Sequence, residues 1–130
     1  MKRLLPFLVV IFCSIAFGAN AQGLPGNSTW KNQRGSQMTI ASVDATGKFT
    51  GQYVNQAAGF ECAGQPYDVT GRVTGAKLFF VVTFTKCNTV TRWTGRVAGS
   101  RISTRWRLVY VDPDGTIKTL RGSDVFDRAN

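Results

Sequence analysis

Residues 101–108 read Arg-Ile-Ser-Thr-Arg-Trp-Arg-Leu. In an extended chain, successive side chains point to opposite faces. Ile102, Thr104, Trp106 and Leu108 then share one face, and Arg101, Ser103, Arg105 and Arg107 share the other. A one-residue slip would bury three arginines, so the register of this strand is strongly set. The preceding run behaves alike, with Trp93 and Val97 inward and Arg92, Thr94 and Arg96 outward. Further out, Asp44-Ala45-Thr46-Gly47, Thr74-Gly75, Ala98-Gly99-Ser100 and Asp112-Pro113-Asp114-Gly115 are turn signals. The runs between them are short and rich in Val, Thr, Phe, Tyr and Trp, and none carries a sustained helical stripe. This spacing predicts strands over 28–33, 36–43, 48–55, 67–73, 77–85, 91–98, 101–111 and 116–126. The fold class expected is all-β, an eight-stranded antiparallel up-and-down β-barrel, which has no free edges and can hold one small ligand.

Composition narrows the chemistry. The chain has 130 residues, enough for one domain, with 43% hydrophobic and 12% aromatic residues. There is no histidine and a single glutamate, Glu61. That excludes a Ser-His-Asp triad, a Cys-His pair, a zinc site of histidine ligands and a paired-glutamate glycosidase. Asp124 and Tyr53 are the one acid–base pair worth weighing, and no nucleophile–base–orienter set accompanies them. No enzyme, metal or cofactor is expected.

The first residues read as a targeting segment. Lys2 and Arg3 precede an apolar run over 4–17, and Ala19-Asn20-Ala21 offers small residues for cleavage. Residues 1–21 are expected to be a secretory signal peptide, cut near Ala21, with the barrel domain over 22–130. A membrane anchor is the alternative, but the run falls short of the roughly 20 residues a span needs. The expected location is secreted or periplasmic, with no membrane association. Cleavage leaves 14 basic and 7 acidic side chains, a charge of +7. It also removes Cys13, leaving Cys62 and Cys87. An even pair in an exported chain reads as a disulfide, worth about 3–4 kcal/mol in the chain-entropy model. Two buried free thiols are the alternative.

Two connections are longer than the rest, Asn55 to Pro66 with Cys62 and Lys86 to Val90 with Cys87. Both follow odd-numbered strands, so both belong to one end of the barrel. A bridge between them marks that end as the candidate ligand mouth. The inward set is partly polar: Asn32, Ser36, Tyr53, Asn55, Thr89, Thr91 and Asp124 stand beside Trp93, Trp106, Phe80 and Phe84. Taken singly, each has a structural explanation as turn, cap or core. Together they suit a compact ligand with a polar head and apolar atoms, because buried polar groups are costly unless hydrogen-bonded.

These residues resemble those of the avidin and streptavidin family of biotin-binding proteins. Trp30-Lys31-Asn32-Gln33-Arg34-Gly35-Ser36 is similar to the family's first-hairpin motif. Thr50-Gly51-Gln52-Tyr53, Val69-Thr70-Gly71-Arg72, Thr91-Arg92-Trp93-Thr94-Gly95, Arg101-Ile102-Ser103-Thr104-Arg105-Trp106 and Gly122-Ser123-Asp124-Val125-Phe126 follow in order. The resemblance implies that biotin is the ligand. Asn32, Ser36 and Tyr53 would donate to the ureido oxygen, as in an oxyanion hole. Asn55 and Asp124 would accept from the ureido N–H groups, the latter with charge assistance. It places Thr91 near the thioether sulfur, and Thr89 with the backbone of Ala57 to Gly59 near the valerate carboxylate. Trp93, Trp106 and Phe84 would be apolar walls.

The departures from the family pattern also carry meaning. Phe84 stands where better-known members have Trp, which reduces wall area. Thr116 takes the position from which tetrameric members send a Trp into a neighbouring subunit. The pattern is nearer the dimeric, disulfide-containing branch, so a homodimer is favoured over a tetramer. Two alternatives accompany this reading. One is an avidin-like barrel holding another small ligand. The other is a basic barrel binding acidic polymers through the outward row Arg92, Arg96, Arg101, Arg105 and Arg107. No aromatic interleaves that row to stack on bases, so nucleic acid is not an expected partner.

Overall fold

The computed structural model describes residues 23–130. The segment expected to be a signal peptide lies outside the described residues. Eight antiparallel strands close into one barrel in sequence order. They are β1 (Ser28–Asn32), β2 (Gln37–Val43), β3 (Lys48–Val54), β4 (Pro66–Thr74), β5 (Lys77–Phe84), β6 (Thr89–Ala98), β7 (Arg101–Val111) and β8 (Ile117–Arg128). The ring closes where β8 pairs with β1, Asn32 opposite Phe126 and Trp30 opposite Arg128.

All eight predicted strands are present, with shifted ends. β6 begins at Thr89, two residues before its expected start. The chain turns back there through a 3₁₀ turn at Thr85–Cys87 and a left-handed Asn88, a more compact reversal than the predicted loop. β8 runs two residues past its expected end, because Asp127 pairs with Arg101 on one side and Lys31 on the other. Closure therefore lengthens the last strand.

The alternation along β7 sets the wall. Ile102 and Thr104 are buried, Trp106 and Leu108 are half-buried, and the four residues that alternate with them are exposed. Trp30, Met38, Ile40, Phe49, Phe80 and Phe126 fill the interior towards the closed end, all at 0% exposure. Trp30 keeps its indole satisfied there: its Nε1 donates to Ser28 Oγ at 2.9 Å, and Ser28 donates to the Pro25 carbonyl. A core packed at one end leaves the side chains of the other end free to surround a cavity.

The Cys62–Cys87 disulfide is present, with Cα atoms 6.1 Å apart. It joins the β3–β4 loop to the β5–β6 turn. Both lie at the end that also carries the β1–β2 and β7–β8 turns. No helix among the described residues is long and apolar enough to cross a membrane.

Candidate ligand site in the barrel mouth

The β1–β2 turn builds the first wall. Asn32 N donates to Ser36 O and Gly35 N to Asn32 O, closing a tight reversal in which Gly35 has φ +84°. A non-glycine residue would be strained in that backbone. The Asn32 side chain caps the same turn, its Oδ1 accepting from Arg34 N at 3.0 Å and Ser36 N at 2.9 Å. The amide orientation is thereby settled. Nδ2 is left buried without a protein partner.

Ser36 ties the turn to the next loop. Its Oγ accepts from Gln56 N at 2.8 Å, which holds the start of the β3–β4 loop. Tyr53 on β3 lies beside both. Burial pushes its hydroxyl well above the ordinary value of 10.0; a Ser36 hydrogen bond opposes this and the Asp124 charge adds to it. Tyr53 is therefore a protonated donor at neutral pH.

Acceptors stand on the other strands. Asp124 on β8 is 3% exposed. Its Oδ2 accepts from Trp93 Nε1 at 2.9 Å, and its Oδ1 from Gln33 Nε2 at 3.1 Å and Arg34 Nε at 3.2 Å. An ionised carboxylate has about four lone-pair sites, so one remains for a ligand. Asn55 Oδ1 accepts from Ala57 N at 2.8 Å and keeps a second lone pair. Thr91 Oγ1 is buried with no protein partner.

These groups line one cavity of about 260 Å³, open at the mouth. That is just below the roughly 300–1,000 Å³ usual for small-molecule sites, as suits a compact ligand. Of the twelve predicted residues, ten are on its lining: Asn32, Ser36, Tyr53, Asn55, Ala57, Gly59, Thr91, Trp93, Trp106 and Asp124. Trp93 is clamped between Phe80, stacked at 4.8 Å, and Tyr53 at 4.9 Å. Trp106 lies against Gly122, where an added Cβ would collide with the indole ring.

Two predicted residues do not face this cavity. Phe84 is fully buried behind it, edge-on to Phe60 at 5.0 Å and to Tyr67 at 5.0 Å. Phe60, brought over by the stapled loop, takes its place on the lining. Thr89 donates its hydroxyl to the Cys87 carbonyl. It lines an adjoining cleft of about 820 Å³ that shares Gly59, Phe60, Leu108 and Leu120 with the cavity.

Four lining residues went unpredicted, Arg34, Phe60, Leu108 and Leu120, while Ala58 lies within the Ala57–Gly59 segment already expected there. The alternation already put Leu108 on the inward face, and Arg34 lies inside the first-hairpin motif. Nothing local signals Phe60, since its position depends on the loop path. No cluster of three or more His, Cys, Asp or Glu occurs among the described residues.

Comparison with known proteins agrees with this geometry. The chain is 40% identical to Afifavidin of Afifella pfennigii, over 86% of this chain and 75% of that protein. It is 30% identical to Hoefavidin of Hoeflea phototrophica, over 79% and 71%. Among solved structures, the bradavidin2–biotin complex superposes with a TM-score of 0.79 at 46% identity, covering 82% of this chain and all of that one. The rhizavidin–biotin complex gives 0.75 at 38%, covering 82% and 93%. The Avidin family pattern matches residues 20–129, so this closed barrel with its polar-headed, tryptophan-walled mouth belongs to the avidin family.

Proposed function

We propose that this protein is an exported, non-covalent biotin-binding protein. Family membership makes it a binder, without chemistry and without a cofactor. Two of its structural neighbours, bradavidin2 and rhizavidin, were solved as biotin complexes, and that supports extending the ligand to this chain.

The observation that carries the reading is the arrangement of donors. Asn32 Nδ2 is buried and unpartnered, the Ser36 hydroxyl is fixed beside it by Gln56 N, and Tyr53 stays protonated. All three line one cavity with the Asp124 carboxylate. A ureido group is the matching shape: one oxygen that accepts several hydrogen bonds, flanked by N–H groups that need acceptors. In this proposal Asn32, Ser36 and Tyr53 hold the oxygen, and Asn55 and Asp124 take the N–H groups. Thr91 meets the thioether. Trp93, Trp106 and Phe60 enclose the bicyclic ring, with Phe84 backing Phe60. The valerate leaves towards Thr89 and the Ala57–Gly59 backbone, where the cavity joins its outer cleft.

Export by the segment over 1–21 and assembly as a homodimer are part of the same proposal. Amino-terminal sequencing of protein recovered outside the cytoplasm tests the first, and sedimentation tests the second. Calorimetric titration with biotin tests the function. Saturation near one biotin per chain is expected. Absence of heat and of any tryptophan fluorescence change would assign the barrel to another small ligand.

A further inference from the structure

The outer face of β6–β8 carries charges that a ligand in the barrel does not use. Arg92 on β6 is paired with Arg107 on β7, and Arg107 with Arg121 on β8. The three are exposed and stand directly abreast across three strands, at the roughly 4.8 Å spacing of a sheet. Like charges directly opposite each other weaken strand pairing. Among the described residues, none of the three has a carboxylate within ion-pair distance; the pairs formed are Arg34–Asp124, Arg101–Asp127 and Lys118–Asp112. Arg92 lies over the Phe79 ring at 4.4 Å, which holds its guanidinium along the sheet.

A second row runs parallel. Lys77 opposes Arg96, and Arg105 stands between the rows opposite Thr94 and Ser123. A shallow hollow of about 860 Å³ lies across these strands. Its outward lining is Lys77, Arg96 and Arg105 with the hydroxyls of Thr94, Ser103 and Ser123, and one exposed apolar side chain, Val125. Cations in rows with hydroxyls between them match a polymer that repeats anionic groups and hydroxyls.

We propose that this face docks an anionic polysaccharide, its sulfate or carboxylate groups on the two cation rows and its hydroxyls on the Thr and Ser side chains. A second copy of the chain is a poor occupant, because two-fold packing of this patch on itself would set arginine against arginine. A nucleic acid is disfavoured by the lack of an exposed aromatic platform, since Phe79 is half-buried beneath Arg92.

The test is titration of the whole protein with heparin fragments between about 50 and 200 mM salt. Arg92→Gln/Arg107→Gln/Arg121→Gln is compared with Lys31→Gln/Lys48→Gln/Arg72→Gln, which removes equal charge from exposed sites on β1, β3 and β4. A cooperative thermal melt establishes that each variant is folded. The first variant is expected to lose at least about tenfold in affinity and about three in salt slope, against less than about threefold in affinity for the second. Equal losses in both variants would overturn the proposal, because net charge alone would then explain binding. So would an oligothymidylate bound more tightly than heparin, or no heparin binding by the unaltered protein at the lowest salt.

Discussion

Arg34 reaches from the β1–β2 turn to Asp124 on β8, placing Nε 3.2 Å from Oδ1 while its guanidinium lies 5.9 Å from the Trp106 ring. The pair joins the first and last strands across the mouth. It sets an exposed cation against a buried carboxylate whose other oxygen is held by Trp93. Asp124 is thereby oriented before any ligand arrives.

Asp124→Asn is expected to weaken biotin binding by about 10- to 100-fold, because it converts a charge-assisted bond into a neutral one. Arg34→Leu acts through Asp124, so it is expected to cost affinity in the unaltered protein and little when combined with Asp124→Asn. A double-mutant cycle by calorimetry reads the coupling. Strictly additive effects would show that Arg34 acts elsewhere.

Tyr53→Phe removes one of the three donors proposed to hold the ureido oxygen, for an expected loss of about 10-fold. It also has a signature in alkali. Burial raises the folded-state value above the unfolded 10.0, so the folded state keeps a proton that the unfolded state has lost. Stability from this group is complete below pH 10.0 and declines as pH rises above it. Thermal melts from about pH 9 to 11 should fall more steeply for the unaltered protein than for the Tyr53→Phe variant, and parallel slopes would contradict this.

The Cys62–Cys87 bridge holds the loop that presents Ala57 to Phe60. Its reduction is expected to lower stability by about 3 kcal/mol and to accelerate biotin release, since the loop must then be ordered on binding. Urea unfolding and off-rate measurements with and without reductant separate the two effects. An unchanged off-rate would mean that the loop is ordered without its staple.

Phe60→Ala should raise the off-rate several-fold with little change in stability, since Phe60 is a partly exposed wall residue. Phe84→Ala should instead cost about 3–5 kcal/mol of stability, because that ring is fully buried. Comparing melts and off-rates of the two variants checks whether the loop residue or the strand residue faces the ligand.

Gly122→Ala is expected to displace the Trp106 ring and weaken biotin binding. Indole fluorescence of the free protein should shift in the same variant. Affinity retained with an unshifted spectrum would show that the strand yields instead of the ring.

The all-β class, the strand count and the inward face of β7 were legible in sequence because period-two alternation is a local property of an extended chain. Most of the polar lining was legible for the same reason: Asn32, Tyr53, Thr91 and Asp124 lie on strands whose facing is fixed by their neighbours. The cysteine pairing followed from parity. What only the tertiary structure decided is everything that depends on a loop's path or on barrel closure. Phe60, not Phe84, faces the cavity because a stapled loop folds across the mouth. Arg34 meets Asp124, 90 residues away, because closure brings β1 beside β8. The three abreast arginines are scattered in sequence and become a row only through the registers of β6, β7 and β8. Alternation decides which face a side chain takes, but which side chains become neighbours is a matter of strand register and loop closure, and those are set by the whole barrel.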